Sequence, residues 1–250
     1  GIEYREVASE LGVRYLVAAR VDRAADSIRI STRIVDGKTS QQVWAETYVR
    51  PYSISGVFSL QRDIARSIAG ALGAQVAAEE QQVGGEATSD LQAYELYVLG
   101  QYHHARWTRE SWDAALDYFR QAIARDSTFA LAYAASAQTH VALTAYGYLS
   151  PNEGWPRVEE FAGRALRLNP QLAEAHAPLG MAMAFYHYDW QGAEALFRRG
   201  ITLNPSSAVA HGNYGLYLWA VGRPAEAIQA HQRARDSDPR SLVHNGNLGS

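Results

Sequence analysis

The 250-residue chain contains no cysteine, and a single one of its 23 basic residues, Lys38, is a lysine. Without a thiol there is no disulfide framework, no thiolate metal site and no cysteine nucleophile, and the redox compartment is left open. The shortage of lysine beside plentiful arginine reads as genomic base composition and carries no functional weight. A formal net charge of −3 supplies no clustered basic surface, so no nucleic acid is expected to be bound by this fragment. No apolar run reaches the ~18 residues of a membrane span. Gly1 to Val13 lacks the basic flank and apolar core of a secretion signal. Catalytic signatures are missing too: there is no Gly-x-Ser-x-Gly, no His-Glu-x-x-His and no glycine-rich dinucleotide loop.

The partial candidates for chemistry have simpler readings. Gly37-Lys38-Thr39 shares the end of a phosphate loop, but the earlier glycine would fall at Thr32 and no helix follows, so a hairpin turn is expected. None of the eight histidines lies three or four residues from another, as helical metal ligands would. His103 and His104 point to different sides of a helix, and His176 and His211 sit where packing residues belong. Glu79-Glu80 and Glu159-Glu160 read as solvated carboxylates. The expectation is no enzyme, no catalytic residue, no metal and no cofactor.

What the chain does contain is a beat. Leu168-Asn169-Pro170, Leu203-Asn204-Pro205 and Ser237-Asp238-Pro239 recur at steps of 35 and 34 residues, each closing a segment with the pattern of two short amphipathic helices. Helix pairs at that period are the signature of tetratricopeptide (TPR) repeats. Counting from Ala208, Gly215, Gly222, Ala227, Ala234 and Pro239 fall where such a repeat needs small residues for close helix approach and proline to end helix B. From Ala173, Leu179, Gly180, Ala193, Phe197 and Pro205 match after one inserted residue near Tyr188-Asp189-Trp190. Repeats beginning near Ala93 and Ala130 carry insertions near Arg106 to Ser111 and Gly147 to Trp155. About four repeats are expected over 91–250.

Before them the period changes. Tyr4 to Leu11 has helical spacing and stops at Gly12. Val13, Tyr15, Val17, Ala19 and Val21 then alternate with Arg14, Leu16, Ala18 and Arg20, and Ile28, Ile30, Thr32 and Ile34 with Arg29, Ser31 and Arg33, which predicts two antiparallel strands with one buried face. Val43 to Val49 offers a third strand with Trp44, Glu46 and Tyr48 on its other face. A helix from about Ser59 to Glu79 would lay Leu60, Ile64, Ile68, Leu72 and Val76 over the sheet. Residues 79–90 read as a polar linker.

The blocks VASELGVRY (Val7 to Tyr15), IRISTRIV (Ile28 to Val35), Trp44-Ala45-Glu46-Thr47-Tyr48 and VFSLQRDIA (Val57 to Ala65), in that order, resemble the second half of a TolB amino-terminal-like α/β domain. Ala18-Ala19 stands where such proteins carry Glu-Gly. With Tyr102-His103, Ala130-Leu131-Ala132-Tyr133, Ala173-Glu174-Ala175-His176 and Tyr188-Asp189-Trp190, the whole is similar to bacterial multidomain signalling proteins in which TPR repeats follow the TolB-like domain. The resemblance implies a winged-helix, Ser/Thr kinase or adenylate cyclase domain in the parent, upstream of a non-catalytic sensing or scaffolding region. The chain opens without methionine and closes inside a helical pattern, Leu242 to Leu248, so it reads as a piece of a longer protein.

The expected fold class is therefore mostly α, an α-α superhelix of TPR repeats (91–250) preceded by a small partial α/β domain (1–78). The expected function is a non-catalytic interaction or sensor module, cytoplasmic rather than periplasmic, that binds a protein or peptide in the concave groove. Helix A of each repeat would present Tyr94, Tyr97, Gln101 and His104, then Leu131, Gln138 and Val141, then Glu174, Met181 and Phe185, then Leu216 and Trp219. The partner-binding set is Tyr94, Tyr97, Gln101, His104, Gln138, Phe185, Leu216 and Trp219. No helix A contains Lys or Arg, which removes the cations a carboxylate clamp for acidic C-termini would need. The arginines at 120, 125, 164, 167, 198, 199, 233 and 235 lie on helices B, as a solvated convex face. Alternatives are a small-ligand sensor at the seam between the two regions, near Trp44, Tyr48 and Tyr97, and a periplasmic assembly scaffold.

Overall fold

A computed structural model describes residues 4–72 and 88–238. Residues 79–87 of the proposed linker and the Leu242 to Leu248 helix, with Val76 and Pro239, lie outside the described residues. Contacts divide the chain into two compact units, Gly1–Leu91 and Gln92–Ser250.

The first unit begins with α1 (Tyr4–Leu11) and runs through β1 (Tyr15–Arg23), β2 (Ser27–Asp36) and β3 (Gln42–Pro51) to α2 (Ile54–Ala71). Gly12, at φ 64°, ends α1 in the left-handed region, where glycine has no Cβ to clash. The strands form an antiparallel meander, β1-β2-β3. Asp36 holds the turn that joins β2 to β3, its Oδ1 accepting from the backbone N–H groups of Lys38 at 2.9 Å and Thr39 at 3.1 Å. Gly37-Lys38-Thr39 is thus a hairpin turn.

Register corrects two expectations. Opposite residues on paired strands share a face, and Trp44 opposes Ile34 while Tyr48 opposes Ile30, so the aromatic side of β3 is the isoleucine side. Ile34, Tyr48 and Leu60 of α2 are buried there, whereas Val43 and Val49 on the reverse are exposed. Val17 and Val21 of β1 also share the isoleucine face, yet they are 51% and 58% exposed. The reason is coverage: α2 packs mainly against β3 and β2. The α2 helix also starts five residues earlier than its apolar stripe suggests. Ser53 caps it by accepting from the N–H of Gly56 at 3.1 Å. Gly56 sits inside the helix because a Cβ there would lie 2.0 Å from the Pro51 carbonyl oxygen.

The second unit is four helix pairs: α3 (Leu91–His104) with α4 (Arg109–Arg125), α5 (Ala130–Ala145) with α6 (Pro151–Leu168), α7 (Ala173–Phe185) with α8 (Trp190–Leu203), and α9 (Ala208–Ala220) with α10 (Pro224–Ser237). Within pairs the glycines predicted for close approach are met by a ring from helix B. A Cβ on Gly100 would stand 2.3 Å from Phe119, on Gly180 3.0 Å from Phe197 and on Gly215 2.6 Å from His231. The rings thus seat directly on backbone, and Phe119, Phe197 and His231 are fully buried. Between pairs, a continuous core joins Val141, Trp155, Met181, Phe197, Tyr217 and Leu218.

The turn between helix A and helix B repeats a conformation that composition alone does not show. Each holds one residue at positive φ: Trp107 (54°), Gly147 (75°), Tyr188 (56°) and Gly222 (75°). Two repeats use glycine there, and two force an aromatic residue into a region costly for L-residues. The Trp107 ring is held edge-on to Trp112 at 5.5 Å and to Tyr146 at 5.8 Å. The second repeat's insertion is largely helical rather than loop, because Pro151 opens α6 and Glu153 accepts from the Ser150 hydroxyl at 2.6 Å. Ser150-Pro151-Asn152-Glu153 is a capping-box sequence, the signal that foretells this start.

Candidate peptide-binding groove

Helices α3, α5, α7 and α9 face a common space, since one cleft of about 110 Å³ is lined by residues of all four. It brings together Tyr97, Gln101 and His104 from α3, Leu131 and Gln138 from α5, Glu174 from α7, and Val209 at the start of α9. Alanines 134, 135, 173, 177 and 210 form its floor. Their small side chains let the four helices converge while leaving a recess.

The polar groups at this recess are held in place. Gln101 Nε2 donates to the Tyr97 hydroxyl at 2.9 Å, one turn away on the same helix. The Tyr97 ring packs on Phe129 at 5.2 Å and Phe119 at 6.0 Å, and burial pushes its pKa up, so it stays a neutral donor. Gln138 Oε1 accepts from Asn213 Nδ2 at 3.1 Å, a bond spanning 75 residues of sequence. With its oxygen engaged by Asn213, Gln138, which lines the cleft, keeps its amide N–H₂ as the group left to donate. The Thr139 hydroxyl donates to the Ala135 carbonyl at 2.9 Å. The 3.0 Å contact between His104 Nδ1 and Thr139 Oγ1 is therefore a donation from the imidazole. Burial lowers the His104 pKa to about 4, so the ring is neutral at physiological pH.

Other members of the expected set lie elsewhere on helices A. Tyr94 is half-buried, its ring 6.2 Å from Tyr97. Val141 and Met181 are buried in the inter-repeat core. Phe185 is half-buried, stacked on Trp155 at 6.3 Å and edge-on to Trp190 at 6.2 Å. Leu216 and Trp219 are exposed on α9 and are not among the cleft's lining residues. Sequence reasoning left Asn213 out, because its partner Gln138 is two repeats away and no local period links them. Val209 is the second residue of α9, equivalent to Leu131 in α5 and Glu174 in α7, so the same repeat count could have found it.

Helices B carry the arginines outward, and several are engaged. Glu194 on α8 accepts from Arg198 Nη2 at 2.8 Å, Arg223 Nη1 at 2.9 Å and the Tyr214 hydroxyl at 3.0 Å. Arg223 is the largest of these influences, and together they hold the carboxylate pKa down at about 2. The cluster ties α8 to the repeat that follows. Among the described residues no group of three or more potential metal ligands occurs, and no helix is long and apolar enough to cross a membrane.

No family model matches the chain. A curated relative, "Putative adenylate cyclase 3" of Rhizobium meliloti (strain 1021), is 38% identical over 97 residues, which is 38% of this chain and 16% of that protein. The chain thus spans about a sixth of the length of the relative it matches. Among solved structures, a thermophilic TPR protein of Thermus thermophilus is similar with a TM-score of 0.50 and 20% identity, over 77% of this chain and 92% of that one. The fold is a TPR-type array of helix pairs preceded by a small three-stranded antiparallel sheet.

Proposed function

We propose that this chain is a non-catalytic interaction region of a larger bacterial signalling protein, and that it binds a protein or peptide segment along the face formed by α3, α5, α7 and α9. The observation that carries the reading is the recess at which four helices from four repeats converge, with oriented hydrogen-bonding groups at Tyr97, Gln101 and Gln138. Amide and hydroxyl groups fixed at the rim of an apolar floor suit a polypeptide, whose backbone offers donors and acceptors at regular intervals. Tyr94, Phe185, Leu216 and Trp219 extend the contact surface on the same helices. The likeness to part of a bacterial cyclase-named protein supports the signalling context. The order α1-β1-β2-β3-α2 supports assigning the first unit to a TolB-like domain.

Photo-crosslinking tests the reading. A benzophenone amino acid at position 101, in the groove, is expected to capture a partner polypeptide in cells of the source organism, and one at position 120, on exposed α4 surface, is not. Adducts from position 120 alone would place the interaction on the opposite face and end the proposal.

A further inference from the structure

The helices that form the groove carry one sign of charge. Across α3, α5, α7 and α9 the acidic residues are Glu95 and Glu174, and there is neither Lys nor Arg. Glu174 lines the recess, is exposed, and has no ion-pair partner among the described residues. It is the second residue of α7, where the positive end of the helix dipole favours a carboxylate. The remaining walls are uncharged: Leu131 and Val209 are aliphatic, and His104 is neutral. A volume of about 110 Å³ falls well short of the ~300–1,000 Å³ of small-molecule pockets, but it accommodates one side chain.

Resting on the reading that this groove binds a polypeptide, we propose that its occupant is a segment anchored by one lysine or arginine. The methylenes of that side chain lie against Leu131 and Val209, and its cationic head meets the Glu174 carboxylate. Basic side chains have this two-part character, an apolar stem with a charged tip. An acidic anchor would meet Glu174 with no cation on any of the four helices to offset the repulsion. A purely apolar anchor would strip water from Glu174 and leave the charge unpaired, which is costly. The amide N–H₂ of Gln138 and the Tyr97 hydroxyl then serve backbone carbonyls on either side of the anchor.

The test is selection of a displayed random linear peptide library against the whole chain, with Glu174→Gln, Glu174→Lys, Tyr97→Ala and Gln138→Ala variants as comparators. Glu174 is exposed, so its substitutions leave folding intact, which circular dichroism verifies. The expected selectants share Lys or Arg at one aligned position and weaken about tenfold on Glu174→Gln, in line with loss of one charge-assisted contact. Glu174→Lys is expected to exchange that preference for Asp or Glu. Selectants that lose binding on Tyr97→Ala and Gln138→Ala but show no basic position would overturn this inference and leave the groove reading standing. Selectants indifferent to Tyr97→Ala and Gln138→Ala, or no selectants at all, would remove the groove reading itself.

Discussion

Among single residues, the repeats depend on what is left out of a side chain. A Cβ added at Gly100 would lie 2.3 Å from the buried Phe119 ring and one added at Gly163 would lie 3.3 Å from the tip of Arg167, though both are helical glycines of the same unit. Gly100→Ala is expected to lower stability by about 1–3 kcal/mol through overpacking, while Gly163→Ala should raise it by about 0.5–1 kcal/mol through helix propensity. Urea unfolding of the two variants reads the opposite signs. Histidines supply a pH dependence at this level. Burial lowers the pKa of His104 from its ordinary 6.5 to about 4, and lowers those of His140 and His176 as well. The unfolded chain therefore binds more protons between those values. This contribution is whole above pH 6.5 and is lost as pH falls toward 4. In His104→Gln the fall in urea midpoint across that window should be shallower; an unchanged slope would contradict the assignment. That His176 would be structural was readable from its repeat position, whereas His104 was read as part of the groove and His140 was not singled out. Their lowered pKa values were not readable, because they depend on how much solvent the neighbouring helices exclude.

For whole helices and strands, pairing follows local pattern, while turns and junctions follow contacts made elsewhere. The three strands and four helix pairs stand where alternation and the small-residue positions put them, since those patterns are set by the strand period of about two and the helical period of about 3.6. The left-handed residue in each A–B turn is less visible, because at Trp107 and Tyr188 no glycine marks it. Tyr188 is largely exposed at φ 56°, so Tyr188→Gly is expected to stabilise by about 1 kcal/mol by removing the Cβ conflict. A rise in thermal midpoint measures it; a fall would mean the Tyr188 ring contact with Trp190 outweighs the backbone strain. Junctions between repeats use charge. The Arg223, Arg198 and Tyr214 contacts hold Glu194 at a pKa of about 2, well below its ordinary 4.5. Their stabilisation is complete above pH 4.5 and disappears as pH falls toward 2. Acid titration of Glu194→Gln should show less loss across that interval than the parent chain. The same slope in both would detach the cluster from stability.

In the molecule as a whole, the groove is the feature that no single repeat possesses. It needs four A helices side by side, and its oriented amide depends on the bond between Gln138 and Asn213. The double variant Tyr97→Ala with Trp219→Ala is expected to lose a captured partner while keeping its helical circular dichroism; retention of the partner at full strength would count against the helix A surface as the binding face. Tyr97, Gln101, His104 and Gln138 were legible as inward-facing because repeat position sets direction. Their gathering into one recess was not, because it depends on the alanine floor and the crossing of successive pairs. The period, the helix pairs, the meander and the absence of cations on helices A follow from the order of residues alone, since each is a property of local spacing or composition. Which strand α2 covers, leaving Val17 and Val21 exposed, and which residue brings a charge to the recess, Glu174, were settled when the elements packed. Both are matters of which surfaces meet, and contact between segments far apart in the chain leaves no mark on the periodicity of either one.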